Sequence, residues 1–166
     1  MKIVSNTKEN LNSSLKNQVC TCLCGESKII VSHKPMARFR CHCSICQGLY
    51  NKPFADFTFL NAKHVSLEKT DRLEFAKHRL PPALNRGICS SCNTPLVGFM
   101  WLAPWLKFAF IPSERFENSA LLPECRAHIF YHSRSADIDD SLPKISGYWP
   151  SEIAISKALV QGLFKS

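Results

Sequence analysis

At 166 residues with 45% hydrophobic content, the chain is long enough for one ordinary core and implies no second domain. Its formal charge of +8 is scattered, as at Arg38/Arg40 and Lys77/Arg79, and no run of five or more basic residues occurs, which excludes a dedicated polyanion-binding arm. The longest apolar stretch, residues 97–111, contains Pro104 and Lys107 and falls short of the roughly 20 residues a membrane helix needs.

Residues 1–17, rich in Asn, Ser and Lys, read as a flexible extension. No apolar run follows their charges, so neither signal peptide nor anchor is expected and the chain is read as cytoplasmic. In a reducing compartment nine cysteines point to metal binding or catalysis, and an odd count fits a closed disulfide framework poorly. From Val19 the alternating Cys20-Thr21-Cys22-Leu23-Cys24-Gly25 and the β-branched Ile29-Ile30-Val31 predict a hairpin turning near Gly25. Residues 36–41 read as a second extended segment that delivers Cys41-His42-Cys43-Ser44-Ile45-Cys46. Gly48 and Pro53 then bracket a loop, and Tyr50 and Phe54 are candidates for lining a site. Residues 54–60 form the clearest strand, with aromatics suited to a core.

Short strands are expected at 65–67 and 73–76. Residues 84–88 lead into Cys89-Ser90-Ser91-Cys92-Asn93, which has the form of a metal knuckle whose last position favours φ > 0. Further strands are expected at 96–100, 106–111 and 127–132. The tail, residues 149–166, places Ile155, Leu159 and Leu163 at helical spacing behind Ser151 as N-cap. Many short strands, few helices and no βαβ rhythm give a mainly β domain over residues 18–148, stapled by metal, with a short C-terminal helix.

Seven of the nine cysteines fall into clusters of two, three and two. A tetrahedral zinc takes four thiolates in a closed structural site and three protein ligands in an open one. Spacing alone does not choose between Cys20/Cys22 and Cys22/Cys24. Side chains two apart on a flat strand are about 6.6 Å apart, whereas sulfurs sharing one zinc lie about 3.8 Å apart. The chain must bend at the pair, and Gly25 supplies that freedom, which favours Cys22 and Cys24. With Cys89 and Cys92 these make a closed site whose role is folding.

Cys41, Cys43 and Cys46 can occupy three corners of a second tetrahedron. Three thiolates overcompensate the ion's charge, so this site suits a fourth thiolate better than a water nucleophile. The substrate is then a thiol, and Arg40, His42 and Lys52 are the cations nearest in sequence. Against an open corner stand His42, Cys20 and Cys125, any of which could close the site; an iron–sulfur cluster is the other alternative. The seven thiolates with two dications add three negative charges, leaving about +5.

As a set, the three clusters with residues 127–134 and 139–143 resemble the glutathione-dependent formaldehyde-activating enzyme family, which also includes centromere protein V. The similarity covers about residues 18–148. The resemblance implies a β-tent of the Mss4-like kind with two zinc ions. Cys22, Cys24, Cys89 and Cys92 would hold the structural one, and Cys41, Cys43 and Cys46 the catalytic one. It also implies a carbon–sulfur lyase activity in which glutathione, engaged at the second zinc, adds to formaldehyde or another small carbonyl. Asn93 replaces the family's usual glycine, and nothing carries over to the two ends. The partners expected are thus small molecules, with neither membrane nor nucleic acid. The rival reading, favoured by the centromere branch, is a non-enzymatic two-zinc module that contacts a protein or nucleic acid.

Overall fold

The computed structural model describes residues 17–80 and 84–164. The extension expected over residues 1–17 lies, apart from Asn17, outside the described residues. Among the described residues, ten strands form two sheets. The smaller has β1 (Gln18–Thr21), β2 (Lys28–Val31) and β5 (Val65–Lys69) in the order β1-β2-β5. The larger adds β3 (Ala37–Cys41), β4 (Ala55–Asn61), β6 (Leu73–Lys77), β7 (Asn85–Cys89), β8 (Pro95–Ala103), β9 (Leu106–Pro112) and β10 (Cys125–Ile129). Its order is β10-β3-β4-β9-β8-β7-β6, antiparallel throughout except for the parallel β10–β3 pair. Among the described residues there are two α-helices, α1 (Ser44–Tyr50) and α2 (Tyr148–Leu163). Among the described residues, no helix is long and apolar enough to cross a membrane.

The large sheet is covered on both faces, and side-chain alternation sorts its residues between two cores. One core joins Phe39, Phe57, Phe59 and Phe108 to Ala158 and Leu159 of α2. The other lies against the small sheet and holds Ile29, Val31, Leu60, Leu96 and Ile111. Adjacent residues Phe59 and Leu60, both fully buried, thus serve opposite faces. This is why five of the seven residues of β4 are buried, on both of its faces, and why it is the easiest strand to read.

Three local readings differ from expectation. The loop expected between Gly48 and Pro53 begins only after Tyr50, because the segment from Ser44 to Tyr50 is a helix: Cys43 is its N-cap residue, and Asn51 closes it at φ 48°. β10 stops at Ile129, because Phe130 adopts φ 52° and turns the chain into a 3-10 turn at Tyr131–Ser133. Ser151 does not cap α2, whose N-cap is Gly147. Instead its hydroxyl, buried in the first turn, donates to Gly147 O at 2.7 Å and accepts from Phe130 N–H at 2.7 Å. That pairing supports the left-handed Phe130 and ties α2 to the end of β10. Further along α2, a Cβ on Gly162 would come within 2.6 Å of Met36 Sδ, so a bare backbone is what allows the helix to sit against the start of β3.

Candidate functional site

The four cysteines of the first cluster stand on two turns. β1 ends at Thr21, and the turn that follows bends Cys22 and Cys24 together: Gly25 N–H donates to Cys22 O at 3.1 Å with Gly25 at φ 77°. The Cys22 and Cys24 sulfurs lie 3.4 Å apart, and Cys24 and Cys89 lie 3.7 Å apart. On the opposing β7–β8 turn, Asn93 N–H donates to Cys89 O at 2.8 Å, and Asn93 sits at φ 54°, the conformation expected after a knuckle. All four sulfurs fall within 4.8 Å of one another. These separations fit one tetrahedral ion with sulfur bonds of about 2.3 Å. The donors around the cluster suit thiolates: Ser27 N–H points at Cys22 Sγ at 3.2 Å. Burial would raise the Cys92 thiol, but the Thr94 hydroxyl 3.0 Å away helps bring it to about 6.

Cys41, Cys43 and Cys46 form a second group, also within 4.8 Å of one another. β3 delivers Cys41, the residue between strand and helix is Cys43, and the first turn of α1 carries Cys46. Hydrogen bonds from Cys41 and Cys46 hold the Cys43 thiol far below its ordinary range. Those from Cys43 and Cys46 push Cys41 up. Negative charge therefore gathers on Cys43, the least buried of the three. Gln47 braces the loop, donating from Nε2 to His42 O at 2.6 Å and to Ser133 O at 2.8 Å.

Among the described residues, no fourth Cys, His, Asp or Glu joins this group. Cys20 is fully buried in the other core, its thiol pushed up to about 12 by that burial. Cys125 lies on β10 with its sulfur 3.9 Å from Ala127 O. His42 is turned to His128 instead, Nε2 to Nδ1 at 2.8 Å, and His128 Nε2 meets Asp140 Oδ2 at 2.9 Å. Because the carboxylate only accepts, His128 donates through Nε2 and accepts through Nδ1, which makes His42 the Nε2–H tautomer. Burial and the neighbouring His128 lower the His42 pKa to about 4, so the ring is neutral at neutral pH. Its Nδ1 lone pair has no partner among the described residues. Asp140 also accepts from Arg40 at 2.8 Å and from Lys144 at 3.0 Å.

A cavity of about 290 Å³ opens beside the second cluster and is lined by all three of its cysteines. Tyr50 lines it; Phe54 does not, packing instead on His42 and under Arg40. The three cations nearest in sequence are all absent from its walls. Arg40 is engaged with Asp56 and Asp140, His42 with His128, and Lys52 with Glu114. For Arg40 the physical reason is strand alternation, since Arg40 and Cys41 point to opposite sides of β3; His42 and Lys52 lie beyond that strand and are held by their own partners. The cations that do line the cavity are Arg79 and Arg86, from segments some forty residues further on. Arg79 is paired with Glu152 at 3.7 Å, whereas Arg86 has no carboxylate partner among the described residues and lowers the Cys43 thiol electrostatically. Sequence reasoning missed both, as it missed the His42–His128–Asp140 line, although His128 and Asp140 lie in stretches that carried the resemblance.

A family model described as glutathione-dependent formaldehyde-activating enzyme matches residues 17–133. No curated protein matches the chain. Among solved structures, a crystal structure of a Rhodobacter sphaeroides protein is similar, with 18% identity and a TM-score of 0.50, over 64% of this chain and 96% of that one. At that identity the likeness speaks for the fold.

Proposed function

The chain belongs to the glutathione-dependent formaldehyde-activating enzyme family, and from that premise we propose that it is a zinc-dependent carbon–sulfur lyase acting on a thiol adduct of a small carbonyl, with glutathione as the thiol. Residues 18–148 would form its metal-stapled unit, a β-tent of the Mss4-like kind. One observation carries the reading: three cysteine sulfurs lie together on the wall of a cavity, and no fourth protein donor joins them among the described residues. Cys22, Cys24, Cys89 and Cys92 would hold a structural zinc, since four sulfurs complete a tetrahedron. Cys41, Cys43 and Cys46 would hold the second. Zinc bound there would keep an incoming thiol ionised at neutral pH.

The chain's own groups then have separate tasks. Cys43, the most accessible of its cluster, marks where the thiol sulfur enters from the cavity. Arg86, which has no carboxylate partner among the described residues and lies on the same wall, offsets negative charge there and is the natural partner for a carboxylate of the thiol. Tyr50 keeps its proton, because burial pushes the phenol well above its usual range. It can donate a hydrogen bond to the carbonyl oxygen as the C–S bond forms and the C=O π pair moves onto that oxygen. A proton from water completes the hydroxyl, and the reverse sequence cleaves the adduct. No general base is required, because the attacking sulfur is already a thiolate.

The test is to load the protein with two zinc ions per chain, titrate with glutathione and follow zinc X-ray absorption. One site should gain sulfur coordination while the other stays unchanged, with faster exchange between formaldehyde and S-hydroxymethylglutathione. No change at either site and no acceleration would refute the enzyme and leave a two-metal binding module.

A further inference from the structure

We infer that the cavity beside Cys41, Cys43 and Cys46 selects adducts whose carbonyl part is a bulky apolar group, aryl or medium-chain alkyl, and that helix α2 is the element that sets this preference. The inference rests on the enzyme reading above and narrows its substrate class. A formaldehyde adduct adds only one carbon and one oxygen to the thiol and makes no use of an apolar wall, whereas the cavity of about 290 Å³ that admits the thiol is lined largely by apolar side chains. An apolar cavity of roughly 150 Å³ already takes a benzene ring.

The lining is of the matching kind. Phe57, Val97, Met100 and Phe110 come from the large sheet, and Phe130 and Ile155 face them from the other side. Five aromatic side chains, Tyr50, Phe57, Phe110, Phe130 and Tyr148, stand on the walls and suit a flat or hydrocarbon guest, beside the carboxylate partner that Arg86 offers the thiol. Phe130 holds its position at a cost, since φ 52° is a conformation that residues other than glycine rarely adopt. That strain is sustained by the Ser151 hydroxyl of α2, which accepts the Phe130 N–H.

Helix α2 contributes Tyr148, Glu152 and Ile155 to the lining. The family match ends at residue 133, so this wall belongs to the part of the chain that the family model does not reach. Tyr148 and Glu152 are held toward the β6–β7 side by Arg79, which donates to the Tyr148 hydroxyl at 3.4 Å and pairs with Glu152. The three cysteines therefore lie within the segment that the family model matches, while the wall that meets the substrate's carbon end is completed by α2, outside that segment.

The step is the addition already described: the thiolate sulfur bonds to the carbonyl carbon, the π pair goes to oxygen, and oxygen takes a proton from water to give a hemithioacetal. The experiment uses the full-length zinc-loaded protein with glutathione and formaldehyde, butanal or benzaldehyde. Magnetisation-transfer NMR gives the catalysed exchange rate between each free carbonyl and its adduct. The expected result is at least tenfold greater acceleration per mole of enzyme for benzaldehyde than for formaldehyde. In parallel, S-benzylglutathione should bind at least tenfold more tightly than S-methylglutathione by calorimetry.

Two substitutions at one site keep the test independent of folding. Ile155→Trp, which fills the cavity from α2, should shift the benzaldehyde-to-formaldehyde rate ratio toward formaldehyde by about tenfold. Ile155→Ala, which enlarges it, should shift the ratio the other way, whereas general destabilisation would not move the two variants in opposite directions. Acceleration for formaldehyde alone, or a ratio unmoved by either variant, overturns the inference and leaves the enzyme reading standing. Acceleration for no carbonyl, with glutathione changing neither metal site, overturns both.

Discussion

The buried line from His42 through His128 to Asp140 allows a quantitative test, because its hydrogen bonds join residues with no solvent to replace a lost partner. His42 and His128 are both fully buried. In His128→Leu, the His42 Nε2–H loses its acceptor, and an orphaned buried donor costs about 1–3 kcal/mol. The bond to Asp140 is also lost. That carboxylate is solvent-accessible and keeps Arg40 and Lys144, so losing the bond adds little. The total expected is about 1–3 kcal/mol, set by the orphaned His42 donor. His42→Leu alone removes the donor and leaves only the His128 acceptor bare, at about 1–2 kcal/mol. In the double variant neither nitrogen remains, so its cost should fall below the sum of the two single costs by about 1–2 kcal/mol. Urea unfolding of zinc-loaded proteins with equal metal content measures each value. Strictly additive losses would mean the two imidazoles are not coupled, and the tautomer assignment built on that bond would be wrong.

Three further outcomes are expected. Burial alone would raise the Asp56 carboxyl, but the bidentate Arg38 contact at 2.7 and 2.8 Å helps hold it below its usual range. Its contribution is then complete above the unfolded carboxyl's pKa and is lost as pH falls through the lower folded value. Asp56→Asn should therefore flatten the acid limb of a stability–pH curve between about pH 5 and pH 2, and an unchanged limb would exclude the pair as its source. Cys22→Ser should lower zinc content by one ion per chain and unfold much of the protein at 37 °C, whereas Cys43→Ser should lose one ion and the glutathione response with a smaller loss of stability; mass spectrometry under native conditions and thermal melts distinguish them. Tyr50→Phe should reduce catalysed exchange by about tenfold or more with zinc content unchanged, and an equal rate would remove the phenol from the chemistry.

The parts of the protein that could be read from its sequence are those whose determinants are neighbours in the chain. The sulfur ligands are of this kind: each of their three sequence groups spans six residues or fewer, so the bend at Gly25, the knuckle ending at Asn93 and the run from Cys41 to Cys46 carry their geometry locally, and only the meeting of the first two turns depended on the fold. Alternation likewise marked most strands, because a face buried against a core imposes a period of two. Helix α1 escaped, since seven residues containing Gly48 give little helical signal and only its place between β3 and β4 makes it fold.

The tertiary structure decided everything that depends on chain segments meeting. Parallel pairing of β10 with β3 brings His128 to His42 across 86 residues, and nothing near either residue announces the other. Proximity in sequence suggested Arg40, His42 and Lys52 as the cations of the site. The pleat of β3 and competing partners took all three elsewhere, and Arg86 arrived from β7 instead. The cavity is the extreme case: its walls come from the sheet, from α1, from the turn after β10 and from α2, and an empty volume has no residue of its own to carry a pattern. Ligands for a metal can be spelled out along a chain, whereas a space for a substrate exists only once the surfaces around it have packed.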